Sequence, residues 1–404
     1  YTTSEARDTH DVIEWIAAQP WSDGKVGMVG ASYTGTNQIT GLVEPAPHLR
    51  AIFPAVANFE IYKLAVNGGA FRKGGIVSMY NTLVALGTAK QETAPLPPSV
   101  DSDPKNELRD MARGEHLQGS FAGYTDFLDT PALKHVASVL GLNTLEERVR
   151  VLTSNKLLIP EIAAHTDLQR ELMASGYYRN EEDSFDFSAP GSETPIDPAH
   201  NFDRINRANV PAYIWWGWRD VYPEDAFLFF ANLKSPRKLT VGPWAHYPDN
   251  KRGDLREEEA IRLRAIETLR WFDYWLKGID NGIMNEPRIN YSVVESRYKW
   301  EWRSTNDWPL QQARSQEMYF QNGPSHSVRS VNDGLLSAKA PATAGAFDAF
   351  YVDYTATSGM TTRFHDTTGG GPLFYPDLAE NDAKGLTYTT APLEQDLVVA
   401  GHPI

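Results

Sequence analysis

Not one cysteine occurs among the 404 residues. That excludes a disulfide framework, thiolate metal sites and a cysteine nucleophile, without fixing the compartment. No run of about 18 apolar residues exists, so no segment reads as a membrane-spanning helix and no membrane partner is expected. Positive charge is scarce: 38 Lys and Arg stand against 52 Asp and Glu, a formal net charge of −14. That average field repels a polyanion, whose binding rests on paired phosphates and released counterions, and no Lys/Arg-rich run interrupts it. Nucleic acid is therefore not an expected partner. Nothing in the sequence distinguishes a cytoplasmic from an exported protein, and homo-oligomer formation is left open.

What is present suits a large globular protein. The length favours two or three domains, and 41% apolar residues can fill a sizeable core. Eleven tryptophans are many; most should be core, with some free to line an apolar pocket.

Thr2-Thr3-Ser4-Glu5 has capping-box spacing, and Val12, Ile13, Trp15 and Ile16 follow at helical intervals before Pro20. Lys25–Gly30 reads as a short buried strand after the Asp23-Gly24 turn, residues 33–43 as a helix and Leu49–Phe53 as another strand. This alternation predicts a parallel α/β sheet. From about 67 to 200 the rhythm stops, and helical patches such as Leu145–Leu158 and Ile162–Met173 suggest an inserted helical domain. The rhythm resumes at Val210–Trp216, an apolar run fit for a strand covered on both faces. A helix over 223–234, a strand at Arg237–Val241 and a long helix at Leu255–Lys277, ended by Gly278, come next. After Pro287, short β-type runs at Ile289–Val294, Glu317–Phe320, Ala346–Tyr354 and Leu386–Thr390 suggest a β-sandwich or jelly roll.

A serine hydroxyl needs a base to take its proton, donors aimed at the oxyanion, and a rigid, exposed mount. Gly30-Ala31-Ser32-Tyr33-Thr34-Gly35 sits at a strand-to-helix junction that could supply the mount, with the Tyr33 backbone N–H directed at the oxyanion. The usual elbow is G-x-S-x-G; here Thr34 occupies the second glycine position and Gly35 comes one residue later. Taken alone, the pattern also fits a helix N-cap serine. Asp220 and His246 add to it, each following a strand, in the chain order Ser, Asp, His of α/β-hydrolases. Singly, they could be a turn acid and a surface-loop histidine.

WIAAQPWSDGKVGMVGASYTG (15–35), Gly217-Trp218-Arg219-Asp220, Gly242-Pro243-Trp244-Ala245-His246, Trp271–Gly278 and Thr387–Leu393 together resemble the cocaine esterase-like hydrolases. These are grouped with α-amino acid ester hydrolases and X-prolyl dipeptidyl peptidases. The resemblance implies an α/β-hydrolase core at 1–66 and 201–285, a helical cap insertion at 67–200 and a partial jelly-roll domain at 286–404. It implies Ser32 as nucleophile, Asp220 as orienter, His246 as general base and no cofactor. It further implies sheet strands before Thr3 and β strands after Ile404, so both ends are expected to be truncated. The second oxyanion donor of the resembling enzymes, an early tyrosine hydroxyl, has no counterpart in this chain.

Trp216, Trp218, Tyr222 and Trp244 flank the acid and base and are the candidate pocket residues, against the alternative that most of them only pack. Where the amino acid ester hydrolases carry a Glu-Asp pair for the substrate ammonium, this chain has Val221-Tyr222-Pro223, with Glu224-Asp225 displaced. Arg219 could attract a carboxylated substrate, but pairing with a surface acid is the favoured reading; Asp101, Asp103 and Asp110 are read as a solvated loop, and His10, His48 and His165 as lacking metal-ligand spacing. The expected activity is cleavage of a small-molecule ester or amide through an acyl-serine. The rivals are an X-prolyl dipeptidyl peptidase or acylase, and a non-catalytic binding protein with a hydrolase-like core.

Overall fold

The computed structural model describes residues 3–60, 66–67, 70–71, 196–246, 257–296, 299–342, 345, 347–356 and 377–400. Two compact units divide the chain, one of Tyr1–Phe59 with Ile196–Ile404 and one of Glu60–Pro195. In the second unit the described residues form a short antiparallel ladder between β3 (Val66–Asn67) and β4 (Ala70–Phe71). The helices expected at Leu145–Leu158 and Ile162–Met173, the three aspartates at 101, 103 and 110, and His165 lie outside the described residues, as does Thr2 of the capping box.

The first unit is built on a six-stranded sheet in the order β1 (Val26–Ala31), β2 (Leu49–Ala55), β5 (Ala212–Gly217), β6 (Arg237–Gly242), β7 (Ile289–Ser296) and β8 (Lys299–Thr305). All neighbours pair parallel except β7 and β8. The helices α1 (Thr3–Ala17), α2 (Tyr33–Gly41), α3 (Phe202–Ala208), α4 (Pro223–Asn232) and α5 (Glu257–Trp275) alternate with these strands. The apolar run at 212–217 is buried throughout because β5 lies mid-sheet with both faces covered. Gly278 closes α5 as its sequence position predicts, with φ 71° and its N–H donating to the Tyr274 carbonyl at 3.1 Å.

Two expectations for the C-terminal part are corrected. Ile289–Val294 was assigned to the jelly-roll domain, but β7 pairs with β6 at Leu239↔Ile289 through Val241↔Tyr291 and so belongs to the central sheet. Its alternating apolar pattern fits either location; the burial of Ile289 and Tyr291 comes from the neighbouring strand. Ala346–Tyr354 carries no strand among its described residues, and Phe347 and Tyr351 are exposed. β-branched and aromatic composition does not by itself supply a pairing partner. A separate three-stranded sheet joins β9 (Tyr319–Gln321), β10 (Asn332–Ser337) and β11 (Leu386–Thr389) in the order β11-β10-β9. This sheet is apart from the central one and marks a separate C-terminal β domain.

One face of the sheet carries an aromatic core: Phe53 and Tyr213 lie 4.9 Å apart between ring centroids, and Trp271 of α5 meets Tyr213 edge-on at 5.5 Å. The Trp271 indole N–H donates to the Ile52 carbonyl at 3.1 Å, pinning α5 across the sheet. Beneath it runs a polar chain. The Tyr213 hydroxyl donates to Glu267 Oε2 at 2.9 Å, Arg270 pairs with both Glu267 and Glu286, and buried Lys238 donates to Glu286 at 3.0 Å and to the Ile283 carbonyl at 2.9 Å. Burial pushes the Glu286 carboxyl up, but hydrogen bonds and charge from Arg270 and Lys238 outweigh it and hold the group below the usual carboxylate range.

Because Lys238 is only 1% exposed, removing its counter-charge leaves an ammonium in the core. Glu286→Gln should therefore lower unfolding free energy by about 2 kcal/mol at pH 7, read as a shifted urea midpoint with unchanged m-value. A depressed carboxylate stabilises above its unfolded pKa and loses that contribution as pH falls through the folded value. The acid limb of thermal stability should accordingly be shallower in the variant; an identical limb would show that Glu286 does not drive it.

Candidate active site

β1 ends at Ala31, and the chain turns sharply at Ser32 into α2. Ser32 has φ 57° and ψ −123°, a region that L residues rarely enter and that costs about 1–3 kcal/mol. The surrounding hydrogen bonds hold it there. The Ser32 N–H donates to the Ala55 carbonyl at 2.9 Å, and its own carbonyl accepts from the N–H groups of Gly35 and Thr36, each at 2.9 Å. Buried Gln38 accepts from the Phe53 N–H at 3.0 Å and donates to the Thr34 carbonyl at 3.1 Å, tying the first turn of α2 to β2.

The shifted glycine has a physical explanation. Gly35 is buried against β2, and a Cβ there would lie 2.7 Å from the Ala55 carbonyl oxygen and 3.0 Å from the Ala57 Cβ. Thr34 is exposed, and its hydroxyl donates back to the Ala31 carbonyl at 2.9 Å and accepts from the Ala31 N–H at 3.1 Å. The crowded position is thus 35, and a hydroxyl at 34 stitches the turn.

Asp220 follows β5 and His246 follows β6, and the register Gly217↔Gly242 ends the two strands level. His246 Nδ1 lies 2.7 Å from Asp220 Oδ1, and His246 Nε2 lies 2.9 Å from Ser32 Oγ. Asp220 Oδ1 also accepts from the Val221 N–H at 2.6 Å. Asp220 and His246 are 1% and 5% exposed, so their pairing is shielded from water. A carboxylate only accepts, which places the imidazole proton on Nδ1 and leaves Nε2 as the acceptor for the serine hydroxyl. The arrangement can therefore take a proton from Ser32 and hand it on. Tyr33 is the first residue of α2, where helix N–H groups point outward toward an anion, and its phenol donates to Glu5 of α1.

The four aromatic candidates have differing surroundings. Trp216 is buried at 2% exposure on β5, and Tyr222 is buried at the start of α4. The Trp218 ring stacks on Phe227 of α4 at 5.4 Å, and its indole N–H donates to the Ser292 carbonyl at 2.7 Å. Those partners hold it as packing between α4 and β7. Trp244 stacks on Trp215 at 5.1 Å with 11° between ring planes. Asp225, of the displaced acidic pair, is buried and its Oδ2 accepts from the Phe59 N–H at 2.8 Å, a use that ties down the chain after β2.

Sequence reasoning missed the supports of the site. Val56 is buried with φ 43°, its N–H donating to the Trp215 carbonyl at 2.8 Å. A β-branched residue argues against such a conformation, so no sequence signal could have found it. Gln38 was equally silent. Among the described residues no cluster of three or more His, Asp or Glu could hold a metal ion. His48 instead pairs with Glu14 at 2.6 Å, and His10 with its neighbour Asp11. No described helix is long and apolar enough to cross a membrane.

Residues 1–248 match the family model of the X-Pro dipeptidyl-peptidase (S15 family), and residues 281–404 match that of the X-Pro dipeptidyl-peptidase C-terminal non-catalytic domain. The chain belongs to the S15 family. It is 29% identical, over its whole length, to a Mycobacterium bovis protein provisionally named a serine esterase, covering 59% of that protein. It is 25% identical to the cocaine esterase of a Rhodococcus strain over 98% of this chain and 61% of that enzyme. The chain thus spans about three fifths of these relatives. A solved CocE/NonD family hydrolase from Staphylococcus aureus aligns with 80% of this chain and 41% of its own at a TM-score of 0.46 and 20% identity.

The placement of the glycine can be tested directly. Gly35→Ala should cost about 1–3 kcal/mol of stability, because its Cβ meets backbone that cannot give way, whereas Thr34→Gly should cost less. Denaturant titrations of the two variants give the order; the reverse order would mean that the Thr34 hydroxyl bonds to Ala31 matter more to the turn than the close approach at Gly35.

Proposed function

We propose that this S15-family chain is a serine hydrolase that cleaves carboxylic esters through an acyl-Ser32 intermediate. The observation that carries the reading is the continuous hydrogen-bonded line from Asp220 Oδ1 through the His246 ring to Ser32 Oγ, with both contacts under 3 Å. His246 takes the Ser32 proton as Oγ attacks the substrate carbonyl, then returns it to the leaving alkoxide. Water repeats the sequence on the acyl-enzyme, with His246 again as base. Asp220 keeps the proton on Nδ1 and stabilises the imidazolium that forms. The Tyr33 N–H is the oxyanion donor in this chain, and one such donor contributes on the order of a hundredfold in rate.

Ester rather than X-Pro peptide is favoured by the described segment that follows Asp220. A peptidase of this type must hold a substrate amino terminus, and the segment after Asp220 offers Val221 and Tyr222 there, with Asp225 turned to the Phe59 backbone. The names of the two relatives point the same way for those proteins. Trp216 and Tyr222 are the proposed apolar lining for the acyl group.

A fluorophosphonate probe should label the protein once, and Ser32→Ala should abolish the label; a label that survives there removes Ser32 as nucleophile. No label on the parent protein would favour a binding protein. p-Nitrophenyl esters should be turned over far faster than an X-Pro anilide, and the opposite ranking would make it a dipeptidyl peptidase. Asp220→Asn should keep the fold and lose about 10⁴-fold in kcat, as a mispositioned imidazole implies.

A further inference from the structure

The loop that carries His246 leaves β6 at Gly242 and folds back over the end of the sheet. Two glycines make room for the fold. A Cβ at Gly242 would lie 2.1 Å from Cη2 and Cζ3 of the Trp244 ring, and one at Gly217 would lie 2.2 Å from the Trp244 carbonyl oxygen and 2.6 Å from its Cδ1. These glycines are register partners on β5 and β6, so Trp244 sits over a matched gap in the sheet. Its ring lies flat against Trp215 at 5.1 Å and meets Trp302 of β8 at 5.8 Å. Two backbone bonds continue the strand pairing into the loops: the Trp218 N–H donates to the Gly242 carbonyl at 2.9 Å, and the Arg219 N–H to the Trp244 carbonyl at 3.1 Å. The segment ending in Asp220 and the segment ending in His246 are thereby joined.

We propose that Trp244 is a positioning residue for His246: its ring, wedged over Gly242 and Gly217 and stacked on Trp215, sets the path of residues 242–246 so that the imidazole reaches Asp220 and Ser32 together. The inference rests on the triad reading above. Trp244 then acts from behind the loop, with one ring face on Trp215 and Trp302 beside it, and does not line the acyl pocket. The ring is selected for its flat shape. Its indole N–H is buried without a hydrogen-bond partner among the described residues, so the proton on nitrogen does no fixing. A tight aromatic wedge loses few rotamers and transmits a displacement directly to the side chain two residues on.

The experiment measures kcat and KM on p-nitrophenyl acetate and p-nitrophenyl butyrate for Trp244→Ala, Gly242→Ala and Trp244→Phe, with near-ultraviolet circular dichroism to verify folding. Trp244→Ala removes the wedge, whereas Gly242→Ala leaves the ring present but unable to seat. Both should lose about a hundredfold in kcat, the scale of a misplacement near 1 Å, with KM unmoved and the same loss for both acyl lengths. Trp244→Phe should recover most of kcat, because a flat ring returns and no hydrogen bond is forfeited. Fluorophosphonate labelling should slow in parallel yet stay confined to Ser32. An unchanged kcat in Gly242→Ala overturns the proposal, and so does a KM change that depends on acyl length, which would make the ring a pocket wall. Should Trp244→Ala fail to fold, Gly242→Ala and Trp244→Leu decide by the same criteria. Labelling that persists in Ser32→Ala would instead sink the triad reading, a separate result.

Discussion

The parallel pairing of β5 with β6 is the constraint on which the site depends. Six consecutive register partners, from Ala212↔Arg237 to Gly217↔Gly242, bring the two strands to an end at one level. Parallel strands release their following loops on the same edge of a sheet, which is why ligand sites of open α/β sheets form there. With the acid three residues past Gly217 and the imidazole four past Gly242, a 2.7 Å contact between residues 26 apart needs no long-range adjustment. The glycines at both strand ends are part of the same device, since any side chain there would collide with the returning loop.

Ser32, the proposed nucleophile, is held by a different principle. Its backbone is strained, and strain persists only where the surroundings over-determine it. Here β2 lies beside β1 and accepts the Ser32 N–H at Ala55, while α2 closes on the Ser32 carbonyl with two N–H donors. Val56, immediately after, adopts a second left-handed conformation and bonds to Trp215. β2 thus links the serine turn to β5, the strand leading to Asp220. A site assembled from three loops is as rigid as the sheet that ends beneath them, and exclusion of water from Asp220 and His246 strengthens each of their hydrogen bonds.

Much of this was legible in the sequence. Short apolar runs bounded by Gly, Pro and Asp gave β1, β2, β5 and β6 within two residues, because buried parallel strands leave a continuous apolar mark. The order Ser32, Asp220, His246 was equally visible, since each follows a strand. The strand at 289–296 was seen but placed in the wrong sheet: a run of alternating apolar residues records that one face is buried, not which neighbour buries it. Ala346–Tyr354 failed for the same reason: its aromatic residues suit a strand, and its described residues form none.

By itself the sequence carried the strands and helices of the central sheet, the motifs by which the chain resembles its family, and three candidate side chains capable of acyl chemistry. Runs and motifs of that kind are local, and a one-dimensional string records them. Only the tertiary structure decided that the three meet, that position 35 rather than 34 bears the crowding, that Asp225 serves the backbone of Phe59, and that Trp244 lies flat over two glycines. Each of these is a distance between atoms far apart along the chain. Such distances follow from sheet register and packing, which are properties of the whole fold and leave no mark on any single segment.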